Sequence, residues 1–143
     1  MKIICSELWR EPYIVASILT NCLTLDPTVF IGNPKIYLLL KDGKVASFLA
    51  LKSYKKGWEI KSVYTFQNYR GKKHMTRLIQ FVLKKYHSPY LICKKSLLPF
   101  YSKFGFKESA NAPYFLKIEK FIFNAVFGII SKNPLVILRR KNG

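Results

Sequence analysis

Acidic side chains are the scarcest chemistry in this chain. Seven Asp and Glu stand against 25 Lys and Arg in 143 residues, a formal net charge of +18. Repeats, low-complexity runs and long linkers are lacking. That excludes solenoid and fibrous architectures and leaves a single domain over residues 1–143 as the simplest expectation. Cysteine is confined to Cys5, Cys22 and Cys93, an odd number without a CxxC pair. Neither a disulfide framework nor a zinc site is therefore expected, and each thiol is read as a small buried hydrophobe. The two histidines, His74 and His87, lack carboxylate or thiolate partners at ligand spacing, so no metal is expected. No apolar run reaches the roughly 20 residues that cross a bilayer; the longest, Phe121 to Ile130 (FIFNAVFGII), stops well short. Glu7 and Arg10 interrupt the N-terminal MKIICSELWREP before a signal-peptide core develops, so a soluble, cytoplasmic protein is expected. Intrinsic disorder is excluded by what is present, because half of the residues are hydrophobic and 15% are aromatic.

The elements follow from periodicity and punctuation. Lys2 to Glu7 suits a short strand. A helix is expected from Pro12, with Ile14, Val15, Ile18, Leu19 and Cys22 on one face, broken by Asp26-Pro27 and Gly32-Asn33-Pro34. Ile36–Lys41 and Lys44–Ser53 flank Asp42-Gly43, a two-residue turn that closes an antiparallel hairpin. A second turn at Lys55-Lys56-Gly57 leads into a third strand, Trp58–Phe66. From Met75 the period changes: Met75, Leu78, Ile79, Val82, Leu83 and Tyr86 form one face of a helix that His87-Ser88-Pro89 ends. Tyr90–Lys94 is a short apolar strand, and its order after the helix predicts a parallel crossover onto the third strand. Leu97–Phe104 suits a short helix capped by Gly105. Phe106 begins a further strand that Tyr114–Ile118 continues, and Leu135–Arg139 closes the sheet. Glu119–Ile130 reads equally as strand or helix. The fold class is thus α+β: a central, mostly antiparallel sheet flanked by helices.

Between the third strand and its helix lies QNYRGKKHMTRLI, Gln67 to Ile79, five basic residues around a lone glycine. A helix N-terminus exposes unpaired N–H groups and carries about half a positive charge. An adjacent glycine lets the backbone approach a ligand, so this turn suits a phosphate-bearing molecule. An ordinary basic loop reads equally well from the turn alone.

Two stretches together resemble the GNAT N-acetyltransferase superfamily. Arg70-Gly71-Lys72-Lys73-His74-Met75 resembles its acyl-donor loop, [Q/R]-x-x-G-x-[G/A], and Phe100-Tyr101-Ser102-Lys103-Phe104-Gly105-Phe106-Lys107 resembles its second signature, a tyrosine ahead of Gly-Phe. Lys73 stands where the family usually has glycine, and Met75 where glycine or alanine is usual. Lys73 either crowds a bound pyrophosphate or offers it an ammonium. The resemblance implies acetyl-CoA as co-substrate, its pyrophosphate held by backbone N–H groups from Arg70 to Met75 at the head of the helix that continues through Thr76. It implies a single-domain fold whose parallel strands splay to admit the pantetheine arm, and a backbone N–H near Tyr64, Thr65 or Phe66 that polarises the thioester carbonyl. It implies direct attack by the acceptor amine, with Tyr101 protonating the departing thiolate. Tyr101 also reads as a core aromatic beside Phe100, Phe104 and Phe106. Glu59 is the one acid between Lys52 and Lys107, among fourteen Lys or Arg. It is either the general base or a surface carboxylate paired with lysines. Cys93 as nucleophile and His74 as base are the lesser readings; His74 is read instead as a donor-loop or exposed residue.

Coenzyme A carries about four negative charges, fewer than the excess on this chain. Nucleic acid or an acidic protein is the natural further partner. Three functions follow: acetyl transfer to an amine, on or near a polyanion; a catalytically reduced GNAT fold that binds nucleic acid or an acidic protein; or modification of nucleic-acid bases.

Overall fold

Asp42 and Gly43 both take left-handed backbone angles, φ 51° and 74°, the geometry that a two-residue hairpin turn demands. The computed structural model describes residues 1–20, 27–55, 57–127 and 132–141. It divides the chain into two compact units, Met1–Tyr86 and His87–Gly143.

In the first unit the strands β1 (Lys2–Glu7), β2 (Lys35–Lys41), β3 (Lys44–Tyr54) and β4 (Gly57–Thr65) form an antiparallel meander in that order. The helix α1 (Pro12–Thr20) covers one face, where Leu8, Ile14, Ile18, Val29, Ile36, Leu38, Phe48 and Ala50 form a cluster. The helix α2 (His74–Lys85) packs on β2, β3 and β4, and Tyr37 meets Phe81 at 6.1 Å on that side. Helices on both faces explain why β2 reads as the continuous apolar run IYLLL rather than an alternation. Cys5 corrects its expectation: it is exposed on β1, which pairs only with β2 within this unit. Leu19 is likewise 58% exposed, while Cys22 and Lys56 lie outside the described residues.

The second unit contains β5 (Tyr90–Lys94), α3 (Leu98–Ser102), β6 (Phe106–Glu108), α4 (Tyr114–Phe127) and β7 (Leu135–Arg140). The last strand inserts between β5 and β6 and is antiparallel to both. All strand pairs within either unit are antiparallel, and the expected parallel pair belongs to neither. Tyr114–Ile118 is not a strand continuation but the first turns of α4, which resolves Glu119 to Phe127 as helix; 128–131 lie outside the described residues. Ile118, Ile122 and Val126 recur four apart, so these β-branched residues follow a helical period. Leu116 is fully buried against Tyr90, Ala112 and Ile137. Asn124 fixes the helix to β7: its Oδ1 accepts from Leu135 N–H at 2.8 Å, and its amide donates back to the Leu135 carbonyl at 3.3 Å. α3 ends at Ser102, earlier than expected, with Gly105 beyond its cap at φ 83°. Among the described residues no helix is long and apolar enough to cross a membrane.

Candidate active site

The site begins with an irregularity in β4. Phe48 pairs with Tyr64 but Ala50 pairs with Lys61, so β4 holds one residue more than β3 across this span. Ser62 absorbs it with φ 49°, a left-handed angle in a buried strand residue. This is a bulge, a device that twists a strand and frees backbone groups next to functional sites. Sequence reasoning missed it, since a serine among Lys61, Val63 and Tyr64 carries no breaker signal.

Beyond β4 the chain makes a single helical turn over Gln67–Tyr69 and enters α2 through Arg70 to Lys73. The Phe66 N–H donates to the Ala46 carbonyl at 3.0 Å, which withdraws it from the three amides expected to polarise a carbonyl. The Tyr64 and Phe66 rings meet edge-on at 5.2 Å and pack against the α1-side core. Thr65 is tied to Ser47, hydroxyl to hydroxyl, at 2.9 Å. Arg70 fastens the turn to its strand: its Nε donates to the Thr65 carbonyl at 3.1 Å, and its guanidinium lies 5.8 Å from the Tyr64 ring centre. The Lys72 ammonium donates to the Asn68 carbonyl at 3.3 Å.

Lys73 is the N-cap of α2, with φ 58° and ψ 20° and no side-chain cap. Gly71 is also left-handed, φ 75°, with open space where a side chain would begin. The first-turn amides of His74, Met75 and Thr76 have no carbonyl within the helix to reach. The helix therefore presents an uncapped N-terminus behind two left-handed residues and three cations. Thr76 and Met75 are half-buried.

Here the helical face differs from expectation. Because Lys73 is left-handed, α2 starts one residue early, and His74 rather than Met75 heads the buried row with Leu78, Ile79, Val82 and Leu83. His74 is not exposed: it is 4% exposed, and both of its ring nitrogens are buried without a hydrogen-bond partner. Tyr69 faces it at 6.1 Å. Burial holds its pKa below the ordinary histidine value, and Lys41, Arg77 and Lys72 push it the same way. The imidazole is neutral at neutral pH.

Glu59 is not a surface carboxylate. It is 1% exposed in β4, 3.5 Å from the equally buried Lys61 ammonium, and it accepts a hydrogen bond from the Tyr54 hydroxyl. A buried carboxylate of this kind has its charge compensated by a paired ammonium and a hydrogen-bond donor.

In the second unit Tyr101 is 5% exposed, with Phe100 at 5.1 Å and Phe106 at 6.0 Å. Burial, and to a lesser extent Cys93, raises its phenol pKa above the usual value, so the hydroxyl keeps its proton until a strong base forms nearby. The Cys93 thiol is itself pushed up to about 12 by burial, followed by Glu108. It stays protonated, as a small buried hydrophobe would. Among the described residues no cluster of His, Cys, Asp and Glu could hold a metal ion.

The family described as Acetyltransferase (GNAT) family matches residues 3–106. Solved structures agree in fold. Escherichia coli ElaA is 16% identical, with 98% of this chain and 100% of that one covered at a TM-score of 0.65. An acyl-CoA N-acyltransferase from Pseudomonas aeruginosa is 16% identical over 98% and 99% of the two chains, TM-score 0.64. A Bacillus anthracis protein solved in complex with acetyl coenzyme A is 17% identical over 78% of this chain and 64% of its own, TM-score 0.59. At these identities the likeness is one of fold. No curated protein matches by sequence.

Proposed function

The chain belongs to the GNAT acetyltransferase family, a family of acyltransferases, and from that premise we propose that it moves the acetyl group of acetyl-CoA directly onto an amine acceptor. The observation that carries this reading is the backbone of Lys73. It keeps the left-handed conformation suited to the family's glycine although the glycine is gone. A loop that had drifted free of its task would have no reason to hold a lysine there, at about 1 kcal/mol.

In this reading the amides from Arg70 to Met75 and the head of α2 hold the donor's pyrophosphate, and the ammonium of Lys73 adds to the field. The backbone N–H of Thr65, beside the Ser62 bulge and at a pair that makes no ladder bonds with β3, stabilises the oxyanion. Glu59 accepts a proton from the incoming ammonium. The amine nitrogen bonds to the carbonyl carbon, the carbon–sulfur bond breaks, and Tyr101 gives its proton to the sulfur. The two compact units act together as one domain, a reading supported by the family match, which runs through the junction of Tyr86 and His87. The +18 charge favours an acceptor on or near a polyanion.

Thermal unfolding with acetyl-CoA and with CoA tests the reading. At 100 times its dissociation constant either ligand should add about 2.7 kcal/mol of stability. Tyr101→Phe should keep that shift and lose turnover by about 100-fold or more. Glu59→Gln should remove the basic group from the pH profile of kcat/KM. No shift with either ligand would instead favour the binding module of reduced chemistry.

A further inference from the structure

The helix α4 turns an apolar face outward. Tyr114, Phe115, Ile118, Phe121, Ile122 and Val126 are between 41% and 77% exposed, six of the thirteen large hydrophobics that the described residues expose. At about 100° per residue they form one continuous arc, roughly 140° wide. Lys117 borders it on one side and Glu119 on the other, with Lys120 further round. The exposure is not a loose helix awaiting rotation. Leu116 is fully buried on the opposite side, and Asn124 locks the register through its paired bonds to Leu135. An arc of this kind is normally covered.

We propose that α4 lies on an anionic lipid surface, with its apolar arc in the headgroup–acyl boundary. Two observations choose this occupant. The first is charge: a second copy seated on the arc would bring a second +18 of the same sign. The second observation is the pairing of apolar arc with positive charge. Ten basic and two acidic residues lie in His87–Gly143, so the unit that exposes the arc is itself strongly cationic. Nucleic acid would satisfy the charge but offers no apolar phase for Phe121 and Ile122. Anionic lipid satisfies both, which is how interfacial helices bind. The inference is independent of acetyl transfer.

Flotation with vesicles of phosphatidylcholine, alone or with phosphatidylglycerol, tests it on the full chain. The protein should bind the anionic vesicles and leave the neutral ones. Phe121→Ser combined with Ile122→Ser, both at exposed positions, should lower the bound fraction at least about tenfold without changing the circular dichroism. Lys117→Gln should weaken binding less and reduce its salt dependence. The single Val126→Ser, at the other end of the arc, provides a second reading should the double variant misfold; it should also weaken binding. Vesicle binding that these serines leave intact overturns the proposal. So does a dimer, seen by light scattering, that they dissociate, or binding to DNA with none to vesicles.

Discussion

The two units store their cost in different places. Met1–Tyr86 keeps most of it inside: a left-handed serine in a buried strand, a buried Glu59–Lys61 pair and a histidine whose ring nitrogens meet nothing, besides a left-handed lysine at an exposed helix cap. His87–Gly143 has a left-handed residue too, Ser88 at φ 48°, but its larger cost lies outside, as an apolar helix face in water. The first kind persists only where the surrounding structure over-determines it, and it gathers at sites that act. The second is relieved by a partner. The contrast sets strain around the proposed donor loop against an apolar face that we propose meets lipid.

The largest effect should come from asking whether these are parts of one cooperative body. Leu116→Ala removes a fully buried side chain from the core of the second unit and should cost about 2–5 kcal/mol. If the units form one domain, a single unfolding transition moves down, and probes in the first unit, such as fluorescence from Trp58, report the same midpoint. A Trp58 signal that keeps the parent midpoint while the second unit melts early breaks the one-domain reading.

The two units also differ in how legible they were. In the first, Asp42-Gly43 joins neighbours in sequence that are neighbours in space, so turn chemistry alone gave β2, β3 and their pairing. The donor loop was visible because glycine and charge sit within a few residues of a clean helical period. In the second, β7 inserts between β5 and β6, a pairing between strands some 40 residues apart in the case of β5, and no local signal encodes it. Tyr114–Ile118 was misread for a related reason. Its aromatic and β-branched residues have strand propensity, and the period that makes them helical only emerges once Ile122 and Val126 are counted. Ser62 and His74 were hidden differently, because a bulge and an early helix start are decided by backbone angles that neither residue type announces.

A smaller effect sharpens the claim that strain in the first unit is local and functional. Lys73→Gly should leave stability unchanged or raise it by up to about 1 kcal/mol, since glycine is at ease where lysine is strained. Gln80→Gly, in the exposed middle of the same helix, should lower it by about 1 kcal/mol. Denaturant midpoints of the two variants give opposite signs if the cap is left-handed in solution. An equal loss in both would mean that Lys73 is an ordinary helical residue and that the loop is not shaped for a ligand.

The smallest effect is a slope, and it concerns His74. Its folded pKa is held below the ordinary value of 6.5, by burial first and then by Lys41 from β2, Arg77 on α2 and Lys72 in the loop. Above the unfolded pKa both states carry a neutral ring, and the residue adds no pH dependence. As pH falls below it, the unfolded chain takes up a proton that the folded chain refuses, so stability should decline toward acid. Unfolding free energies from about pH 7.5 to about pH 5.5 should show that decline in the parent and a flatter line in His74→Leu, where an apolar side chain of similar size continues the row of Leu78 and Val82. A parent profile that is flat across this window, or one that His74→Leu leaves unchanged, would mean that the imidazole finds water or a partner in solution. The first unit would then lose one of the internal tensions that set it apart from the second.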